Sequence, residues 1–394
     1  MIQLTKKKAQ VFYTLVQCFY WITTGFMYSF ASVYLQGIGF TNSQIGIFLG
    51  CAYGLAACIQ PLLASFIAAK GLQIKTSMKG MYGFIVGMAT LVLVLPMPQV
   101  IKAVILVLLF AIQSAAIPCV NTLVKTLEYG GVPVNFGLAR GIASLVYAVA
   151  LAIMGRITLW IDPKWIPAFY IGSAMCMLLM MSICNVPKSQ FETTDMNKET
   201  DRKALFQNKA FIRFVMGAGC LFLGLACVES FMLQIMQNVK GNSADMSLAL
   251  SVASVSELPA LFFYTQFRKW FGNRKLLMFA GWAWVLRFTL VLLAASPALI
   301  FVSQMMHFCT YAFYTPASID FMSEILPAMD FLKGQALLGS ICSVGSVFAT
   351  FCGGILLDLL GVSATLIFII GMTAVGAILF TMAVTKRRQG GYIK

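Results

Sequence analysis

Long apolar runs alternate with short polar connections along the whole chain. A run of roughly 20 apolar residues is the length that an α-helix needs to cross the hydrocarbon core of a bilayer. The pattern predicts about twelve membrane-spanning helices, near residues 10–35, 43–69, 80–96, 100–126, 134–160, 165–185, 210–238, 245–267, 275–296, 298–319, 334–360 and 363–384. We therefore predict an all-α membrane protein.

One long polar segment interrupts this alternation, between the sixth and the seventh apolar runs. Residues 188–209 are charged and lack hydrophobic periodicity, which is typical of a linker. They divide the chain into residues 1–187 and residues 210–394, each with six predicted spans. We predict two pseudo-symmetric six-helix bundles, because Pro61 and Pro259 precede a basic turn at nearly equal distance in the two halves. Parallel repeats with a binding site between them are typical of a large class of transporters.

The charge of the chain indicates its orientation in the membrane. Charged residues make up 10% of the sequence, whereas soluble domains carry about 25%. The net charge of +15 comes from basic clusters at alternate connections between spans, namely Lys6–Lys8, Lys70–Lys79, Lys188–Arg213, Arg268–Lys275 and Lys386–Arg388. Because basic loops stay on the cytoplasmic side, we predict a cell-membrane protein with both termini in the cytoplasm. Orientation and anionic lipid heads explain the basic excess, so we expect no nucleic-acid partner.

The sequence lacks the residue motifs that a metal site or a nucleotide site would need. Eleven cysteines are scattered without a CxxC pair, and the chain has one histidine, so neither a disulfide framework nor a zinc site is predicted. No GxxxxGK[ST] or HExxH motif occurs. We therefore expect no cofactor and no enzyme activity. A membrane-embedded enzyme or a sensor is the alternative of a different class, and we identify no catalytic constellation or output domain for either.

Three ionisable residues lie in successive predicted spans of the second half: Glu257, Arg287 and His307. A charge in the bilayer interior is costly unless it is paired or faces water, so we predict that the three form one polar cluster. A carboxyl group in an apolar site holds its proton more tightly, and a nearby guanidinium loosens it. Our hypothesis is that Glu257, tuned by Arg287 and His307, carries a proton, with Glu229 as the alternative carrier. The competing interpretation is a static salt bridge between helices.

The basic turn RKWFGNRK at 268–275 resembles the turn motif of the major facilitator superfamily. The copy in the first half, AAKGLQIKTSMK, is degenerate, with Ala69 where the family has an aspartate. The stretch SVYLQGIGFTNSQIGIFLG at 32–50 is similar to the branch that contains lactose permease and the phenylpropionate and nucleoside permeases. The resemblance covers essentially the full length and implies transport by alternating access.

The fifth predicted span carries Arg140, Ser144 and Tyr147 at i, i+4 and i+7, hence on one helix face. The resemblance to lactose permease implies that Arg140 binds substrate hydroxyls and that Tyr147 stacks on a sugar ring. Asn121 falls near the position of that family's sugar-binding glutamate, which weakens a galactoside assignment and favours an anionic or less polar substrate. The competing interpretation of Arg140 is an anchor at the cytoplasmic mouth.

The first predicted span has a polar and aromatic face made of Gln17, Trp21, Thr24 and Tyr28. We predict that this face forms a cavity wall that contacts substrate. Aromatic stripes in membrane helices also serve as packing surfaces or interface anchors, and that alternative stays open.

In the second half, Glu257 resembles the glutamate that bridges the sugar and proton sites of lactose permease, and Arg287 and His307 have the family's separation. Thr310 stands where that permease has its proton-carrying glutamate, and Gln304 stands where it has a lysine. The proton carrier is therefore expected to have moved or to be absent.

Together these patterns predict a secondary transporter that imports a small organic solute, such as a sugar, a nucleoside or an aromatic or organic acid, by proton symport. It is expected to work as a monomer, with membrane lipid and the solute as its partners. The alternative is an exporter of drugs or metabolites by proton antiport, against which the degenerate first basic turn counts slightly. The sequence leaves open whether sodium replaces the proton.

Overall fold

In a computed structural model, the chain is described over residues 5–70, 72–129, 131–132, 134–183, 207–326 and 328–385. Most of the predicted linker, residues 188–209, lies outside these described residues. The described residues form α-helices and short 3₁₀ turns, without a β-strand among them. The helices are α1 Lys6–Tyr28, α2 Ala31–Gly37, α3 Asn42–Ala69, α4 Ile74–Val94, α5 Gln99–Ala115, α6 Ile117–Tyr129, α7 Phe136–Ile157, α8 Ile166–Ile183, α9 Lys209–Ser230, α10 Met232–Asn238, α11 Ser243–Phe271, α12 Asn273–Leu292, α13 Pro297–Met305, α14 Tyr311–Ile325 and α15 Ala328–Thr385.

The predicted all-α membrane architecture is confirmed. Among the described residues, eight helices are long and apolar enough to cross a membrane, or nine if the bent helix α11 is one span. Helix α15 contributes one span to this number although its backbone leaves the helical region at Gly361, where φ is 78°. Such a positive φ is accessible to glycine without steric cost, so α15 consists of two helices joined end to end. Because α15 joins two predicted spans, and other predicted spans such as 10–35 are each divided into two helices, the number twelve stays a prediction.

Each half of the chain packs its own helices together. In the N-terminal half, α1 lies against α7 and α8, and α4 lies against α8. In the C-terminal half, α15 packs against α9 and α12. A side chain at Gly217 of α9 would collide with Phe380 and with the carbonyl group of Gly376, so small residues set the close α9–α15 contact, as is usual where helices pack in a bilayer.

Two helix pairs join the N-terminal bundle to the C-terminal bundle: α3 with α15, and α7 with α11. Gly46 lies against the backbone of Thr350 and Gly354, and Gly155 lies against Ser247, so that a methyl group at either glycine would overlap its neighbour. Gly46 lets the two bundles meet backbone to backbone, and Gly155 makes room for the side chain of Ser247.

Hydrogen bonds also join the two bundles at the end where Gly46 and Gly155 lie. The hydroxyl of Thr158 donates to that of Ser243 at 2.9 Å. The backbone N–H groups of Asn42 and Ser43, at the start of α3, donate to the Asp358 carboxylate at 3.2 and 2.6 Å. The first N–H groups of a helix have no intrahelical partner and carry a partial positive charge, so Asp358 of one bundle caps a helix of the other. We call this end, made of residues 36–46, 155–163, 237–247 and 354–361, the closed end.

The basic turn between α11 and α12 lies at the opposite end of α11 from Ser243. Arg268 forms an ion pair with Asp320 at 3.0 Å, and Arg274 forms one with Glu324 at 3.0 Å. The hydroxyl of Tyr264 also donates to Asp320, at 3.0 Å. The turn that carries the family motif is thus tied to α14 within its own bundle.

Replacing Asp358 with asparagine is expected to loosen the closed end, because a neutral carboxamide is a weaker acceptor than a carboxylate. For an exposed contact the loss is about 1 kcal/mol, or roughly a fivefold change in the ratio of closed to open forms. Hydrogen–deuterium exchange of the purified protein should rise at the start of α3. It should also rise at the start of α11, because the bundles separate as units.

The matched control is Asp162→Asn, since Asp162 is an exposed carboxylate of the closed end that pairs within its own bundle, with Lys164 at 2.9 Å. In this control, hydrogen–deuterium exchange at the starts of α3 and α11 should be the same as in the unmodified protein. If Asp358→Asn raises the exchange at the start of α3 alone, Asp358 is only a local cap.

Candidate functional site

A cavity of about 470 Å³ lies between the two bundles. Its walls carry ring side chains from both halves of the chain: Tyr20, Trp21, Tyr28, Tyr53, Tyr147, Phe222 and Tyr311. Four ionisable side chains also line it: Arg140, Glu229, Glu257 and His307. This combination of aromatic surface with a few polar groups is typical of a small-molecule site.

Arg140 is the cation of the N-terminal wall. Helix α7 begins at the cap Asn135, whose side chain accepts a hydrogen bond from the N–H of Leu138 at 3.0 Å, and Arg140 follows in the second turn. Its guanidinium lies 4.0 Å from the centre of the Trp21 ring, and its Nη1 donates to the Ser144 hydroxyl at 2.5 Å. Stacking on an aromatic face and a hydroxyl partner hold the guanidinium plane in place.

The aromatic side chains on this wall support one another. The rings of Trp21 and Tyr147 meet edge to face, with centroids 6.3 Å apart. The hydroxyl of Tyr147 is within hydrogen-bond distance of Ser29, at 3.3 Å. Tyr28 stacks on Phe110 and contacts the hydroxyl of Ser114. The predicted wall of the first span therefore faces the cavity through its aromatic members.

On the C-terminal wall, three side chains from different elements meet in a row. Glu257 of α11 lies at the cavity, and its Oε1 is 2.8 Å from Nε2 of His307. The Nδ1 of His307 faces Nη1 of Arg287, which lies on α12 and is completely buried. The second amino group of Arg287 donates to Oε1 of Gln304 at 2.6 Å. The structure thus brings together the three ionisable residues of successive spans.

The contacts of His307 determine its tautomer. A guanidinium has only donors, so the Nδ1 that faces Arg287 is an acceptor. The ring proton then lies on Nε2 and is donated to Glu257. A neutral imidazole therefore stands between the buried cation and the carboxylate at the cavity, and each of its nitrogens has a partner of the right kind.

A break in the helix presents His307 to both neighbours. Residues Met306–Phe308 form a 3₁₀ turn between α13 and α14, and Thr310 departs from helical geometry with φ −100° and ψ −96°. Short 3₁₀ stretches inside a span often mark functional hinges. The Thr310 hydroxyl is 3.5 Å from the Arg287 guanidinium, so the residue at the family's proton-carrier position lies beside the buried cation and carries no acid.

Three of the predicted site residues do not line the cavity. Arg287 lies behind His307. Gln17 is buried, donates to the Tyr13 hydroxyl at 2.7 Å and accepts from the Trp21 ring N–H at 3.2 Å, so it supports Trp21 from behind. Asn121 is exposed on α6 and is not part of the cavity wall. The other eight, Arg140, Ser144, Tyr147, Trp21, Tyr28, Glu257, His307 and Glu229, line it.

Sequence reasoning missed several cavity residues, among them Tyr20, Tyr53 and Phe222. Aromatic residues in apolar helices usually pack against lipid or other helices, so nothing in their spacing distinguishes them. Tyr311 is different, because its spacing from His307 predicts that both lie on one polar face of the tenth span, together with Gln304 and Tyr314. In the structure its ring stacks on the imidazole, with centroids 5.4 Å apart.

Comparison with known proteins fits this architecture. A family model described as the MFS_1 like family matches residues 10–369. No curated protein matches the chain. The solved structure of the nucleoside transporter NupG has 16% identity and a TM-score of 0.80, and covers 97% of this chain and 99% of its own. A D-xylose-proton symporter has 13% identity and a TM-score of 0.71, covering 95% of this chain and 96% of its own.

A bacterial homolog of the human lysosomal transporter Spinster, solved in an inward-facing conformation, has 12% identity and a TM-score of 0.69, and covers 96% of this chain and 97% of its own. At these identities the structural likeness establishes the fold alone. The match over residues 10–369, however, spans most of the sequence. The chain therefore belongs to the MFS_1 like family, and it is a multi-pass membrane transporter of small solutes with the major facilitator fold, not an enzyme.

Proposed function

We propose that this protein imports a small organic solute across the cytoplasmic membrane by proton symport. The observation that carries the proposal is the row formed by Glu257, His307 and Arg287, in which a carboxylate at the cavity is linked through one imidazole to a fully buried cation. The fold is shared with a nucleoside transporter and a D-xylose-proton symporter. That likeness supports sugars and nucleosides as solutes to test, and the sequence analysis adds aromatic and organic acids.

Glu257 is the proposed proton carrier because its surroundings change when its contact with His307 is made or lost. While His307 donates to it, the carboxylate is stabilised by a hydrogen bond and by the charge of Arg287 behind the ring. If the helices shift and that contact is lost, the carboxyl group remains in a largely apolar wall, where the protonated form is favoured. A carboxyl group with these two environments binds a proton in one conformation and releases it in the other. Glu229 is the alternative carrier.

Alternating access requires that one end of the cavity closes while the other gives access. The contacts of α3 with α15 and of α7 with α11 close one end. The basic segments Lys70–Lys79 and Arg268–Lys275 follow the far ends of α3 and α11, helices of 28 and 29 residues. Because basic loops are cytoplasmic, we assign the closed end to the outside, the structure to an inward-facing state and both termini to the cytoplasm.

The proposed unit of transport is the monomer, because one chain supplies both walls of the cavity. Its partners are the solute, a proton and the surrounding lipid. Large apolar side chains such as Phe262 and Phe263 on α11 are more than half exposed, as expected for surfaces that contact lipid chains.

The function is tested by adding sugars, nucleosides and aromatic acids in turn to lightly buffered cells that express the protein. Alkalinisation of the medium on addition of one compound is the expected result, because a symporter carries protons inward with its solute. Acidification would indicate proton antiport instead. Uptake without any pH change would overturn proton coupling and indicate a uniporter or another ion.

The variant Glu257→Gln is expected to abolish accumulation driven by a pH gradient, because a carboxamide accepts the His307 N–H but cannot be protonated. In proteoliposomes the ratio of internal to external solute should fall to about one at equilibrium, while exchange of labelled for unlabelled solute continues. The compound to use is the one that gives the largest pH change in the cell assay.

Glu324→Gln is the matched control, since Glu324 pairs with Arg274 outside the cavity. It should accumulate solute as the unmodified protein does. Accumulation that persists in Glu257→Gln would exclude Glu257 as the carrier and leave Glu229 to be tested in the same way.

The variant Arg140→Lys is expected to weaken solute binding about tenfold, because an ammonium keeps the charge but loses the planar fork and most of the stacking on Trp21. The dissociation constant of the purified protein for the transported compound measures this change. The control Arg156→Lys changes an exposed arginine at the end of the same helix and should have no effect. Equal affinity in both variants would favour a purely anchoring role for Arg140.

A further inference from the structure

Two ionisable side chains in the cavity wall, one from each bundle, form no ion pair with the described residues. Arg140 of α7 belongs to the N-terminal bundle, and Glu229 of α9 belongs to the C-terminal bundle. Both line the cavity, and neither forms an ion pair within 4.0 Å with any residue that the structure describes. Glu257 differs from Glu229, because it is bonded to His307. The guanidinium of Arg140 and the carboxyl group of Glu229 therefore face the same space, and neither has a bonded ionic partner among the described residues.

Glu229 lies among aromatic rings. Tyr53, Tyr147 and Tyr311, from three other helices, are close enough for the carboxylate to act electrostatically on each of them. Phe222 precedes Glu229 by seven residues on α9 and also lines the cavity, on the same helix face. Ring faces attract cations. A carboxyl group in a cavity lined with aromatic rings is an environment that suits a protonated amine.

Arg287 does not neutralise Glu229 by contact, although its charge reaches that carboxylate through space. Its two amino groups are directed at His307 and Thr310 and at Gln304. It is also fully buried, behind the histidine. Glu229 therefore remains available to a molecule in the cavity.

Arg140 is suited to an acidic group. Its guanidinium stacks on Trp21 and contacts Ser144 through one amino group. A guanidinium has five N–H donors in a fork that matches a carboxylate. Held by one stacking contact and one hydroxyl, it has further donors for an anionic partner.

We propose that the solute is a zwitterion of small size, which places a protonated amine at Glu229 and an acidic group at Arg140. This inference rests on the proposed transport function and names the substrate class of the same cavity. A solute with one charge, or with none, leaves at least one side chain unpaired when water is displaced, and an unpaired charge in a dry site is costly. The zwitterion pairs both charges and links the two bundles through its own body.

Three probes with one aromatic skeleton separate the contributions of the two charges. L-phenylalanine carries both groups, phenethylamine carries the amine alone, and 3-phenylpropionate carries the acid alone. Binding of each to the purified full-length protein is measured by calorimetry at neutral pH. We expect L-phenylalanine to bind on the order of tenfold tighter than either of the others, because each charged hydrogen bond adds to its affinity.

Glu229→Gln should reduce the affinity for L-phenylalanine to about that for 3-phenylpropionate, and should leave 3-phenylpropionate binding unchanged. The control Glu324→Gln should preserve the ranking of all three probes. The melting temperature shows whether Glu229→Gln is folded. If it is not folded, the proposal is tested by the ranking of the three affinities in the unmodified protein.

The proposal is overturned if L-phenylalanine binds no tighter than 3-phenylpropionate, if it does not bind, or if Glu229→Gln leaves its advantage intact. None of these results contradicts proton-coupled transport, which the pH assay tests with other solutes. Conversely, zwitterion binding without any pH change on uptake would support the solute class and contradict proton coupling.

Discussion

The charge of Arg287 constrains the arrangement of the C-terminal bundle. A guanidinium that is completely buried inside a membrane protein is costly unless its donors are satisfied. The protein gives its two amino groups an imidazole, a hydroxyl and an amide as partners, whereas its Nε–H is buried without a hydrogen-bond partner among the described residues. The acid in this row, Glu257, lies on the far side of the imidazole. The cation therefore influences the cavity without being exposed to it. A change in the charge of Glu257 alters the hydrogen bonding of His307 and, through that ring, the environment of Arg287.

The position of the row matters as much as its chemistry. Glu257 lies on α11, which also forms one of the two contacts between the bundles, and Ser251 on that helix donates to the carbonyl of Ala148 in α7 at 2.7 Å. One helix thus carries both the proposed proton site and part of the seam between the bundles. His307 lies at a break between helices, where the backbone can adjust. A shift of α11 within its own bundle would therefore change both its contact with α7 and the Glu257–His307 contact.

Periodicity and charge predicted much of the architecture. The length of the apolar runs and the placement of basic clusters gave an all-α membrane protein. The cost of buried charge predicted that Glu257, Arg287 and His307 meet. Helical spacing put Arg140, Ser144 and Tyr147 on one face, and all three line the cavity.

What the sequence did not predict depends on long-range packing. Gln17 shares a helix face with Trp21, yet its side chain is hydrogen-bonded to the Tyr13 hydroxyl and lies behind the cavity wall. Asn121 was selected by resemblance, and the orientation of α6 leaves it outside the cavity. The 3₁₀ turn at Met306–Phe308 contains neither glycine nor proline, so no local signal marks the break.

The glycine contacts at the closed end affect how the bundles separate. Where Gly46 meets Thr350 and Gly354, the two bundles touch through backbone atoms, and one turn along α3 the ring of Phe351 lies against Gly50. A backbone contact can part without forcing a side chain through a new rotamer, whereas the ring of Phe351 has to leave its place against α3. The resistance to opening therefore includes this apolar contact as well as polar contacts such as that of Asp358, and none of these residues lines the cavity that is proposed to bind solute and proton.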